Sequence, residues 1–296
     1  MLRKRNLIGV FFDRNRTEFI YHKLLKELTH LNIFNKIILV CNSNSSYEFL
    51  KNKLEDNPIV SIISYDNDFA EFGAMTEALK ELNISNSLLN SQNIFFNDTI
   101  FFNFKSSFSS ILYFLLKNQE HLHSNTPYII GHVAALSGEG RVLDLPITEW
   151  VQTAIFVMNS EALDKISNDF IGILTIRRVQ NFKKENFKNS FELLNTYFDN
   201  NVLSYHVGNW LFSGGWYQSK TYDDFDEKKL IQKIESIVLE KYLTANLVGQ
   251  NVQIIKGLNC KKREIRKFLF NNLNIRNLSL LLFLIKFHLF SVRLKS

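Results

Sequence analysis

What most restricts the fold of this chain is a rhythm in its first hundred residues, where apolar runs of strand length alternate with stretches of helical period. NLIGVFF (6–12), NKIILVCNSN (35–44), PIVSIISYDND (58–68) and the run starting at 93 read as strands. EFIYHKLLKELTHL (18–31), a segment from about Ser45 to Glu55, and FAEFGAMTEALKEL (69–82) read as helices between them, the last with Phe69, Phe72, Ala78, Leu79 and Leu82 at roughly helical spacing. Such alternation makes βαβ units, and these make an α/β fold with a mainly parallel, Rossmann-type sheet flanked by helices. At 296 residues and 46% hydrophobic, the chain has enough apolar surface for one large domain, or for one domain with an appendage.

The second half is less regular. SSFSSILYFLLKNQEHL (106–122) reads as a helix, TPYIIGHVAAL (126–136) as a strand, and SGEGR (137–141) as a flexible loop. TAIFVMNSEALDKI (153–166) reads as a strand followed by a helix capped at Asn159 or Ser160, with Glu161 in its first turn. A helix near 187–198, a strand at 202–206 and a long helix near 227–246 complete the body, residues 1–255.

Each early strand ends in small polar residues: Asp13-Arg14-Asn15, Asn42-Ser43-Asn44, Asp66-Asn67-Asp68 and Asn97-Asp98-Thr99. One such cluster is ordinary turn chemistry. Four of them along the carboxyl edge of an open parallel sheet, where ligands of such folds bind, describe a polar ligand site. The common phosphate fingerprints are missing, with neither GxGxxG after the first strand nor GxxxxGK[ST], and HExxH, GxSxG and the protein-kinase set are missing too. A dehydrogenase, a P-loop NTPase and a kinase are therefore disfavoured.

YDNDFAEFGAMTEALKEL, followed about ten residues later by NIFFNDTIFF, resembles the nucleotide-sugar-dependent glycosyltransferases of the GT-A fold, and within them a bacterial polysaccharide group that includes rhamnan-synthesis proteins. The similarity runs over roughly residues 6–166 by order and spacing. It implies transfer of a sugar from a nucleotide-sugar donor to a growing surface glycan or lipid-linked glycan. It also implies donor contacts from Asp13, Arg14, Asn42, Asp66, Asn67, Glu71, Gly73, Asn97, Asp98 and Thr99. In the family the acidic strand end holds Mg²⁺ or Mn²⁺, but here Asn97-Asp98-Thr99 offers one carboxylate where two are usual. A metal on Asp98 is then weakly bound, with His206 completing the site and favouring Mn²⁺, or it is absent and Arg14, Arg16 or Arg141 carries the diphosphate charge. Asp144 and Glu149, after the Gly-containing loop, are the candidate bases for an acceptor hydroxyl. His132 reads as a core histidine. NWLFSGGWYQ (209–218) reads as a sugar-stacking segment or a hydrophobic hairpin. Another α/β transferase such as a methyltransferase, and a non-catalytic binding or scaffold protein, are the competing functions.

The net charge of +6 is unevenly spread: residues 256–296 hold +9 of it, with Glu264 the single acidic residue, and the body is slightly acidic. In this tail Ile265, Phe268, Leu269 and Leu273 fall on one helical side and Lys262, Arg263, Arg266 and Lys267 on another. That pattern describes a basic amphipathic helix lying on an anionic membrane surface, with a helical dimerisation arm as the alternative, and its aliphatic interleaving argues against nucleic acid as the partner. The apolar stretch Leu278–Ile285 is too short to span a bilayer. Cys41 and Cys260 show no ligand or disulfide spacing, and the apolar core Leu7–Phe12 is too short for a signal peptide. The expected setting is cytoplasmic, peripheral on the inner face of the cell membrane.

Overall fold

The computed structural model describes residues 4–29, 33–66, 69–101, 111, 113–115, 118–167, 169–172, 189–198, 201–214 and 219–257. Residues 258–296 of the basic tail, Asn67 and Asp68, residues 106–110, 112 and 116–117 of the segment expected as a helix at 106–122, and residues 215–218 of the segment 209–218 lie outside them. Seven strands are present among the described residues: β1 (Lys4–Phe11), β2 (Lys36–Cys41), β3 (Val60–Ser64), β4 (Ser91–Asn97), β5 (Tyr128–Val142), β6 (Leu145–Asn159) and β7 (Gln253–Lys256). They form one sheet in the order β3-β2-β1-β4-β6-β5-β7. The first four are mutually parallel, β6 runs against both β4 and β5, and β7 runs parallel to β5. The α/β architecture with a mostly parallel sheet flanked by helices is thus the one that the apolar rhythm describes.

The rhythm works because β1 and β4 are apolar on both faces, which only a central strand covered by helices tolerates. One face of the sheet, with Leu7, Phe11, Ile37, Leu39, Ile94 and Phe96, packs on α1 (Arg14–Ile20) and α3 (Asn44–Leu54). A π-helical turn, Tyr21–Leu25, and α2 (Lys26–Leu28) extend α1 on that same face. The opposite face, with Ile8, Val10, Ile38, Val40 and Phe95, packs on α4 (Ala70–Ile84) and α8 (Glu227–Gly249). The chain therefore steps from β1 to β2 to β3 on one face, then returns across the other through α4 to lay β4 beside β1. The order reverses between β1 and β4, and ligands of open α/β sheets bind at such a switch point.

Two expected segments take another form. Residues 137–141 are part of β5, and 202–206 belong to the helix α7 (Asn201–Phe212). The Gly residues in SGEGR misled because they serve a bulge: register slips between Ala135 and Gly140, where a Cβ on Gly140 would meet the Leu136 side chain at 2.8 Å. The real reversal is a two-residue turn, Leu143-Asp144, with φ of 48° and 70°, joining Val142 to Leu145 as in a type I′ hairpin. The short helices α5 (Ser160–Asp164) and α6 (Ser190–Leu194) are capped by Asn159 and Asn189, whose side chains accept from backbone N–H groups of their first turns.

The β5–β6 hairpin overhangs the site edge. Its last pair with β4 is Phe96 with Ile155, so residues 145–154 run on beyond the carboxyl end of β4.

Candidate functional site

Asp98, one residue past β4, sits at the switch point. It is fully buried. Its Oδ2 accepts from the backbone N–H of Phe12 at 2.8 Å and of Asp13 at 2.9 Å, so the carboxylate fastens the loop after β1 to the end of β4. Its own N–H donates to Val10 at 3.0 Å, tightening the same junction. Oδ1 accepts no hydrogen bond and lies 3.7 Å from Arg16 Nη1. Burial pushes the Asp98 carboxyl up to about 6, against the opposing pull of the two N–H donors and Arg16.

The neighbouring polar residues divide between local and outward roles. Asp13 is exposed and caps α1, its Oδ1 accepting from the Arg16 N–H at 3.0 Å. Asn97 forms a turn with Thr99, whose N–H (3.1 Å) and hydroxyl both donate to Asn97 Oδ1. Arg14 lays its guanidinium over the Phe49 ring at 3.7 Å and pairs with Glu18 at 3.5 Å. Asn42 is half-buried at the end of β2, and Asp66 is exposed past β3. Asp13, Arg14, Arg16, Asn97, Asp98 and Thr99 thus gather at the β1 and β4 ends, with Asn42 on the next strand.

Glu71 and Gly73 lie in the first turns of α4, just after Phe69 and Ala70, both non-glycine residues with positive φ. Gly73 is buried. Glu71 faces a polar layer on the α4 and α8 side of the sheet. Its Oε1 accepts from the hydroxyls of Thr153 at 3.3 Å and Ser236 at 3.1 Å. Register slips between β5 and β6 in this stretch, and the freed Thr153 N–H donates to Glu240 Oε2 at 3.1 Å, as does the Thr153 hydroxyl. Glu240 Oε1 lies 3.7 Å from Lys241 Nζ, which sits 4.1 Å from the centre of the Trp150 ring. Lys241 is buried, and that burial pulls its pKa below the usual lysine range. His206, exposed on α7, sets its ring edge-on to Trp150 at 5.7 Å, and partial burial there, together with the Lys241 charge, pulls its pKa down. Asp98 and Thr153 each lie two residues beyond the last β4–β6 pair, so the two polar groups stand at the same end of that strand pair.

Asp144 occupies the exposed hairpin turn, where Arg141 Nη2 donates to its carbonyl at 2.8 Å. Glu149, on β6, pairs with Lys256 at 2.9 Å. His132 contacts Gln152 at 2.5 Å in a half-buried position on β5. For a divalent ion, the donor set around Asp98 does not fit as it stands, because one oxygen holds two N–H groups and the other faces a guanidinium. Among the described residues no group of three or more His, Cys, Asp or Glu is placed to hold a metal. The described contacts of His206 are with the Trp150 layer, while those of Asp98 are with the β1 loop.

Sequence reasoning passed over the Thr153, Glu240, Lys241 and Trp150 layer. The signal was present in α8: Leu230, Ile234, Ile237 and Val238 mark its apolar stripe, and Lys241 falls on the next turn of that stripe. A charge on a buried face needs a partner and is worth reading as a site.

No family model matches the chain, and no curated protein matches it. Among solved structures it is similar to a 4-diphosphocytidyl-2C-methyl-D-erythritol synthase from Anaerococcus prevotii, at 13% identity over 61% of this chain and 78% of that one, with a TM-score of 0.37. It is similar to a mannosyltransferase from Pyrobaculum calidifontis, solved in complex with GDP-Man and Mn²⁺, at 9% identity over 96% of this chain and 80% of that one, with a TM-score of 0.35. It is also similar to S. aureus TarS 1–349, at 10% identity over 55% of this chain and 49% of that one, with a TM-score of 0.32. Scores and identities this low assign no activity to this chain.

Proposed function

We propose that the chain is a GT-A-like glycosyltransferase that takes a sugar from a nucleotide donor and transfers it to a surface glycan or lipid-linked glycan. The observation that carries the reading is the Asp98 junction: a buried carboxylate at the switch point, holding the β1 loop with Arg16 beside it. In this reading the nucleotide lies over the β1 and β4 ends, and Arg14 and Arg16 neutralise the departing diphosphate. Asp144 and Glu149 on the overhanging hairpin are the candidate bases for the acceptor hydroxyl. With Asp98 the only carboxylate in its motif, turnover should persist in EDTA; complete loss with full rescue by Mg²⁺ would show that a second ligand had been missed.

Thermal shift against UDP, GDP, CMP and dTDP tests the reading. At a hundredfold excess over Kd one nucleotide should stabilise the fold by about 2.7 kcal/mol, a rise of several degrees in Tm. Arg16→Ala should remove most of that rise. A response to S-adenosyl ligands alone would point to a methyltransferase, and no response to any ligand would point to a non-catalytic binding or scaffold protein.

The membrane attachment belongs to the same proposal. Because β7 runs parallel to β5, and β5 to β4, the chain leaves the sheet at Lys256 on the edge that carries the candidate site. No helix among the described residues is long and apolar enough to cross a membrane. The +9 tail would hold that edge toward an anionic surface. Removing residues 260–296 should abolish binding to anionic liposomes, and binding by the full chain should weaken as salt rises. Binding to DNA or RNA with a steep salt slope, and none to liposomes, would overturn it.

A further inference from the structure

The Trp150 layer contains one group that the fold leaves unserved. Trp150 is 5% exposed and its Nε1–H has no hydrogen-bond partner among the described residues. A buried indole N–H ordinarily finds an acceptor, and leaving it without one costs about 1–3 kcal/mol. The groups beside it are already paired in sign, Lys241 with Glu240. A bare anion would gain at Lys241 and lose at Glu240, whereas a hydroxyl donates and accepts at once and so suits an N–H and a carboxylate together. An exposed side chain of α7 stands at the rim, His206 against the indole.

We propose that the layer around Trp150 is a saccharide-hydroxyl subsite, in which a sugar oxygen accepts from the Trp150 Nε1–H and a hydroxyl of the same sugar donates to Glu240 Oε1. The α7 rim at His206 receives the rest of the ring. That this sugar is the transfer acceptor rests on the glycosyltransferase reading; that a saccharide binds here does not.

The chain has three tryptophans, so the full-length ¹⁵N-labelled protein gives three indole N–H signals, and Trp150→Phe identifies the one that matters. Should that variant fail to fold, Trp210→Phe and Trp216→Phe identify it by elimination. The probes are methyl glycosides of glucose, galactose, mannose, rhamnose and N-acetylglucosamine. At least one should move the Trp150 signal saturably, with UDP and GDP leaving it in place. Glu240→Gln should weaken that glycoside about tenfold or more, and His206→Ala, at the exposed rim, should weaken it less. If no glycoside moves the signal while the Phe12 and Asp13 amides respond to a nucleotide, the subsite is wrong and the transferase reading survives. If a glycoside moves it and no nucleotide binds, the subsite stands and the transferase reading falls.

Discussion

Asp98→Ala and Asp98→Asn should separate in stability by about 1–3 kcal/mol at every pH, with the alanine variant the weaker. Asparagine keeps an oxygen for the Phe12 and Asp13 N–H groups, whereas alanine leaves both without their acceptor. Both variants should also lose a titration that the native chain shows. The Asp98 carboxyl is raised from 3.8 to about 6, so between these values the folded state holds a proton that the unfolded chain has released. Native stability attributable to this group therefore falls as pH rises from about 4 to about 6, by roughly 3 kcal/mol at about 1.4 kcal/mol per unit, and stays lowered above that. Relative to the native protein, each variant should gain stability across that window. Urea denaturation at pH 4, 5, 6 and 8 checks both statements, and equal stability of the two variants would show that the junction is not held by Asp98. In the transferase reading Asp98→Asn should fold well yet lose nucleotide-sugar turnover, and full turnover would remove Asp98 from the site.

Glu240→Ala should be the most damaging single change in the Trp150 layer, costing about 3–5 kcal/mol, because it leaves the buried Lys241 ammonium without its carboxylate and frees the Thr153 N–H. Lys241→Met should cost far less, since Glu240 keeps both Thr153 donors and is partly exposed. The double variant should recover most of the loss. A pH series gives an independent check. Burial lowers the folded-state pKa of Lys241 below its unfolded value of 10.5, so the unfolded chain holds the extra proton in between, and stability attributable to Lys241 rises with pH through that window. Removing Glu240 lowers the folded value further and widens the window. Glu240→Ala should then regain part of its lost stability as pH climbs from 7 toward 10. A loss that neither Lys241→Met nor alkaline pH relieves would mean that the pair is not the cause.

Much of the first half was legible because its information is local. Apolar runs of strand length separated by amphipathic helices need no knowledge of the rest of the chain, and β1, β2, β4, α3 and α4 lie within a few residues of where their patterns place them. The cap at Asn159 was readable for the same reason. The segments at 137–141 and 202–206 were not, because their form depends on distant partners. Residues 137–141 join β5 by pairing across a bulge to β6, and the turn that follows is held by the Leu143 N–H donating to the Tyr197 carbonyl at 3.1 Å. The exposed face of α7 carries Val202 and Tyr205 among polar residues, which blurs its helical period.

The sequence by itself determined that this is an α/β chain whose early strands end in polar residues, since strand and helix periods and turn chemistry are properties of neighbouring side chains. Only the tertiary structure decided what each polar residue does. Asp13 is a cap, Asn97 closes a turn and Asp98 is a buried fastening between β1 and β4, although all three look alike as strand-end polar residues. The pairing of Glu240 with Thr153, 87 positions away, depends on α8 lying across a bulge in β6. A carboxylate's burial, partners and pKa are set by groups brought to it from elsewhere in the chain, and residue order does not record that assembly.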